Sequence, residues 1–135
     1  MKEIEGQLWI ENIPVINIAR EYGSPIFIYS ADQLKNNFGK YQNEVGSNDL
    51  ICYAVKANSN LHILKLLSEL GSGFDVVSGN ELKRCLKAGA DKNKIVFSGV
   101  AKSNEEIKLA VENEILSINI ESYGCLLYTS DAADE

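Results

Sequence analysis

Histidine, tryptophan and methionine each occur once in these 135 residues, and proline occurs twice. A histidine metal centre or a Ser-His-Asp triad would rest on His62 alone. That residue falls in the first turn after Asn60 and reads as a helix-surface histidine. Cysteine is also sparse: Cys52, Cys85 and Cys125 lie far apart, with no Cys-x-x-Cys spacing. They read as free thiols of a reducing compartment, and no metal site is expected. No apolar run approaches the roughly 20 residues of a membrane span. The opening Met-Lys-Glu-Ile-Glu-Gly lacks the layout of a secretory signal. Positive charge is in deficit, with 13 basic against 19 acidic residues and a net charge of −6. Nucleic acid is therefore not an expected partner, because phosphates require a basic face. Low-complexity tracts are missing too, and 45% of positions are hydrophobic, enough to build a core. By size and composition alone the expectation is one acidic, cytoplasmic domain.

What is present is a regular alternation. In the first 30 residues, Gln7-Leu-Trp-Ile-Glu reads as a strand, and Asn12-Ile-Pro interrupts it. Residues 15–22 have helical spacing and stop before Gly23. Pro25-Ile-Phe-Ile-Tyr29 is rich in β-branched and aromatic residues and reads as a second strand. Ser30 then caps a helix with Leu34, Phe38 and Tyr41 on one stripe. From Leu50 the pattern settles into apolar runs at near-equal spacing: 50–55, 74–77, 95–97 and 115–120. Helical segments lie between them. Two of these start with a capping-box spacing, Ser78-x-x-Glu81 and Ser103-x-x-Glu106. The continuous apolar runs predict parallel strands covered on both faces. A doubly wound sheet and a β/α barrel both satisfy this pattern. The barrel is favoured because no Gly-x-Gly-x-x-Gly or P-loop follows any strand. Polar residues also gather at successive strand ends: Lys56 and Asn58, Asp75 and Ser78, then Ser98.

Lys56 closes the apolar run Ile51-Cys-Tyr-Ala-Val-Lys56. A lysine on a covered strand is costly unless it is paired or neutral, and a neutral amine is a nucleophile toward carbonyls. On pattern alone, a solvated lysine past the strand end, or one paired with Asp75, fits as well. Tyr53-Ala-Val-Lys-Ala-Asn58 resembles the lysine motif of the fold-type III pyridoxal-phosphate decarboxylases. That family includes diaminopimelate, ornithine and arginine decarboxylases. The resemblance extends through Tyr22-Gly-Ser-Pro-Ile-Phe-Ile-Tyr29, Gly71-Ser-Gly-Phe-Asp-Val-Val-Ser-Gly-Asn-Glu-Leu82, Ala88-Gly-Ala, Ile95-Val-Phe-Ser-Gly-Val-Ala-Lys102 and Ile118-Asn-Ile-Glu-Ser122. Around residues 71–82 it is most similar to the diaminopimelate branch. Ornithine-type enzymes fit less well there, and alanine racemases depart after Ala57.

The resemblance implies an α/β fold, a partial (β/α)8 TIM-type barrel of about the first four β/α units. N-terminal strands of a β domain would precede it. Residues 1–30 would belong to that β domain, and residues 31–122 would form the first half of the barrel. Lys56 would carry pyridoxal 5'-phosphate through a Schiff base. Asp75, Glu81 and Ser98 would border the cofactor, with Asp75 also catalytic. Burial of Asp75 in an apolar strand supports an active-site role, whereas Glu81 and Ser98 read equally well as a cap and a turn residue. The implied reaction converts meso-2,6-diaminopimelate to L-lysine and carbon dioxide, with the ring taking up the electrons. The partners implied are a small amino-acid substrate and a second subunit, in a homodimer with shared active sites. A non-catalytic relative that keeps the barrel, or a β/α domain with no activity, are the other readings.

The resemblance ends near Ser122. The family's phosphate-binding glycine loops, ring-stacking histidine, acidic partner of the ring nitrogen and substrate-gripping arginines are not found in this sequence. Residues 123–135 depart from the family pattern and resemble translated adaptor sequence. An isolated segment of this extent is expected to be inactive.

Overall fold

The structure is a computed structural model and describes residues 1–134. The chain forms two compact units, Met1–Gly39 and a second that begins at Lys40.

The first unit opens with an antiparallel sheet of β1 (Lys2–Ile4), β2 (Gln7–Ile10) and β3 (Ile13–Pro14). Its register pairs Lys2 with Trp9 and Ile10 with Ile13. The interruption expected at Asn12-Ile-Pro is in fact a hairpin return. Pro14 is tolerated because it lies on an edge strand, where no donor is required. Helix α1 (Val15–Tyr22) follows, and helix α2 (Ala31–Gln42) begins after Ser30, as the sequence predicts. The Ser30 hydroxyl accepts the Gln33 N–H at 3.0 Å. The Glu11 carboxylate takes the Asp32 N–H at 3.0 Å and the Ser30 hydroxyl at 2.8 Å. These bonds, the Asp32 N–H first, hold the Glu11 carboxyl below its ordinary range. The strand expected over residues 25–29 does not form. Among the described residues nothing pairs with it, and Phe27 is 88% exposed. Apolar β-propensity marks an extended segment but does not supply a ladder partner.

The second unit carries a four-stranded parallel sheet in the order β4 (Cys52–Ala54), β5 (Gly73–Val76), β6 (Ile95–Phe97) and β7 (Ser117–Ile118). Helices α3 (Leu61–Glu69), α4 (Gly79–Lys87) and α5 (Asn104–Glu112) connect the strands. Strand order follows chain order without reversal. A doubly wound sheet reverses at a switch point, whereas successive right-handed crossovers keep every helix on one face. In agreement, α3 lies beside α4 and α4 beside α5. The second unit is thus a partial barrel.

Buried and half-buried residues alternate at the centre of the sheet, in β5 and β6. Phe74, Val76, Ile95 and Phe97 are completely buried, together with Leu64, Leu82, Cys85 and Ile107 from the helices. Side-by-side registers, Phe74 with Ile95 and Val76 with Phe97, join them into one core. Each such side chain contributes about 1.5–3 kcal/mol on burial. The intervening residues Cys52, Ala54, Asp75 and Val96 are only half-buried. The expectation of strands covered on both faces is therefore corrected. Among the described residues the helices cover one face, and the other is open and partly polar.

Helix α6 (Tyr123–Asp134) follows and lies beside α5.

Candidate active site at the strand ends

Strand β4 ends at Ala54, where its last register partner is Asp75. The chain then tightens into a 3-10 turn, Val55–Ala57. Lys56 therefore lies past the strand and not on it, and its side chain is exposed. Completely buried Val55 anchors the turn from below. The Tyr53 hydroxyl donates to the Asn58 carbonyl at 3.2 Å and closes it from the far side. The Asn58 side chain accepts the Asn60 N–H at 3.0 Å, and Asn60 in turn caps α3 by accepting the His62 N–H at 2.9 Å. Short polar side chains thus fasten the backbone on which Lys56 stands. Among the described residues Lys56 makes no hydrogen bond or ion pair, and the sequence-level pairing with Asp75 does not form. His62 is exposed in the first turn of α3, as expected.

Asp75 lies in β5 on the open face and is half-buried. The Ser98 hydroxyl donates to its Oδ1 at 2.5 Å. Asn119, one residue past β7, donates its side-chain amide to Ser98 Oγ at 3.0 Å. Burial first, and then the Asp75 charge, push the Cys52 thiol above its ordinary range. Two of the four predicted residues, Asp75 and Ser98, are therefore in direct contact. Asn119 was not singled out from sequence. Its signal was available, since it follows β7 as Ser98 follows β6.

Glu81 has a different setting. Its backbone N–H reaches Ser78 Oγ at 3.3 Å, but its carboxylate takes the Val77 N–H at 2.8 Å. The reciprocal bond to Ser78 expected of a capping box is replaced by one to the preceding residue. The second box does form: the Ser103 side chain caps α5, and Glu106 returns to the Ser103 N–H at 3.0 Å. Glu106 also reaches α4 and accepts the Gly79 N–H at 2.7 Å. Its carboxyl is held below the ordinary range, chiefly by the Gly79 N–H and then by that of Ser103. Gly79 permits this approach, because a Cβ there would sit 3.0 Å from the Glu106 Cγ. One carboxylate, that of Glu106, thus accepts a free N–H at the start of α4 and another at the start of α5.

Beyond Ser98 the backbone turns at Gly99, whose φ of +99° suits only glycine. Lys102 holds the turn by donating to the Gly99 carbonyl, with its ammonium 5.9 Å from the Phe97 ring centroid. Among the described residues no cluster of histidine, cysteine and acidic side chains could hold a metal ion. No helix there is long and apolar enough to cross a membrane.

Residues 31–134 match the family model described as the pyridoxal-binding domain of pyridoxal-dependent decarboxylases. The chain belongs to this decarboxylase family. Diaminopimelate decarboxylase of Vibrio cholerae is 49% identical over 119 residues, covering 87% of this chain and 28% of that protein. The Helicobacter pylori enzyme of the same name is 52% identical over 103 residues, covering 76% of this chain and 25% of its own length. Among solved structures, a protein of Aquifex aeolicus superposes with a TM-score of 0.93 at 41% identity. It covers 98% of this chain and 33% of its own. Diaminopimelate decarboxylase from M. jannaschii gives a TM-score of 0.90 at 34% identity, with 98% and 32% covered. The chain therefore spans about a third or less of the length of these relatives.

Proposed function

We propose that this chain is the cofactor-bearing first part of a pyridoxal-phosphate-dependent decarboxylase that converts meso-2,6-diaminopimelate to L-lysine and carbon dioxide. The observation that carries the reading is an exposed Lys56 amine just past β4, unpaired among the described residues. It stands on a turn fastened from both sides, in a chain that matches curated diaminopimelate decarboxylases over most of its length.

The residues present fit the cofactor. Lys56 offers an amine with no competing partner among the described residues, as covalent attachment to an aldehyde requires. The Asp75 carboxylate stands on the neighbouring strand, in register with Ala54, two residues before Lys56. When bound, pyridoxal phosphate supplies an electron sink for the pair released on decarboxylation. Lys56 would hold the group and, when not bound to it, would be free to move a proton. Asp75 would set the negative charge of the site. Glu81 would fix the backbone between β5 and α4, and Ser98 would act on Asp75. The phosphate would be held by the glycine-rich loops that the family resemblance places outside this chain.

The reading extends to a cytoplasmic homodimer with shared sites. In it, residues 1–30 join a β domain and residues 31–122 form the first half of an eight-unit barrel. The origin of residues 123–135 is tested by sequencing the gene from its source.

The experiment is to express the full-length protein, add pyridoxal phosphate and record the visible absorbance of the lysine-linked cofactor. The band is expected in the wild type and absent in Lys56→Ala. Release of lysine from meso-diaminopimelate, and not of amines from ornithine or arginine, is the expected specificity. A band that survives in Lys56→Ala removes Lys56 from its role. No band in the wild type leaves the non-catalytic relative as the better account.

A further inference from the structure

Three side chains from three successive strands form one hydrogen-bonded line across the open face. The Asn119 amide donates to Ser98 Oγ at 3.0 Å, and the Ser98 hydroxyl donates to Asp75 Oδ1 at 2.5 Å. The backbone holds the same line in place. The Ser98 N–H reaches the Val76 carbonyl at 2.8 Å, and the Asn119 N–H reaches the Phe97 carbonyl at 2.9 Å. Both residues therefore extend the sheet ladder one step past their strands.

The direction of the line is fixed by its chemistry. An amide nitrogen only donates, a carboxylate only accepts, and a hydroxyl has one proton and two lone pairs. With Asn119 supplying a donor to Ser98 Oγ, the serine proton is committed to Asp75. Among the described residues, no hydrogen bond is made to Asp75 Oδ2. The carboxylate is thus held by one oxygen and presents the other to the open face, on which Ala54, two residues before Lys56, is its register partner. A hydrogen bond to a charged acceptor is worth more than one between neutral groups, so the Ser98 link is the stronger of the two.

We propose that Ser98 and Asn119 are positioning residues that hold Asp75 in one orientation for the cofactor at Lys56, and that neither touches the cofactor itself. The inference rests on the reading of Lys56 above. It reassigns Ser98 from the cofactor's surroundings to the support of Asp75, and it adds Asn119 to the site.

The test is a double-mutant cycle in the full-length protein, read by pyridoxal phosphate binding from its absorbance and not by turnover. Asp75→Asn and Ser98→Ala are each expected to weaken binding roughly tenfold, the worth of one charge-assisted hydrogen bond. Asn119→Ala is expected to weaken it about threefold, as for a neutral hydrogen bond. Ser98→Thr keeps the hydroxyl and is expected to bind nearly as the wild type. In the Asp75→Asn background, Ser98→Ala is expected to have almost no further effect. A general structural loss would persist in that background. The proposal is overturned if the two effects add in full, or if Ser98→Ala binds as the wild type. Should Ser98→Ala fail to fold, Asn119→Ala in both backgrounds decides by the same criterion, because Asn119 is exposed. Wild-type protein with no cofactor on Lys56 would instead sink the functional reading.

Discussion

The two faces of the parallel sheet are made from alternate residues of the same strands, and they serve different ends. One face presents Phe74, Val76, Ile95 and Phe97 and is sealed from water, with α4 packed on β5. The other presents Cys52, Asp75, Val96 and Ser98, all half-buried. A period of two therefore separates a packed apolar face from a partly polar one within strands of three or four residues. The difference shows why a charge is tolerable in β5. Asp75 is surrounded by apolar sequence but stands on the side where its hydrogen-bond partners are.

The largest break in this comparison is expected on the sealed face. In the full-length protein, Phe97→Ala should cost about 3–5 kcal/mol, the usual loss for emptying a buried aromatic site. Its neighbour Val96→Ala, on the open face, should cost under about 1.5 kcal/mol, since a half-buried side chain leaves little cavity. Denaturant unfolding of both variants checks this, and equal losses would mean that the open face is as tightly packed as the sealed one.

A smaller effect is expected at the rim. Glu106→Gln weakens the caps of α4 and α5, each worth about 1 kcal/mol. The pH dependence follows from the direction of the shift. The folded protein holds the Glu106 carboxyl below its ordinary range, so its contribution is present above the unfolded pKa. It is lost as pH falls through the folded value. Unfolding measured from neutral to acidic pH should therefore show a gap between wild type and Glu106→Gln that narrows with acid. A constant gap would count against this account.

The smallest expected perturbation compares two thiols. Burial first, and then the Glu81 charge, push the Cys85 thiol up to about 12, and its side chain is wholly enclosed on the sealed side. Cys52 is half-buried on the open one. Alkylation under native conditions, followed by peptide mapping, should modify Cys52 well before Cys85. Equal rates would show that the sealed face opens readily.

Much of this was legible in the sequence, and the gaps have physical causes. The order of β4 to β7 and α3 to α5 follows from apolar spacing and the serine caps, which are local properties. The segment 25–29 carries the composition of a strand, but pairing is non-local, and among the described residues none is available. Lys56 was read as closing a strand. The ladder ends two residues earlier, because register with β5 stops at Asp75. At Ser78 the spacing of a capping box is present, yet Glu81 turns to the Val77 N–H instead. The bond from Ser98 to Asp75 joins residues on different strands, and only the register brings them together.

The double reach of Glu106 has a consequence for how the repeat comes apart. One carboxylate serves the first turns of two neighbouring helices, through the Gly79 and Ser103 N–H groups. Fraying of α5 would withdraw it from α4 as well. Two β/α units that fold as separate local structures are thereby tied into one cooperative opening unit, and amide exchange at Gly79 and Ser103 should slow or quicken together.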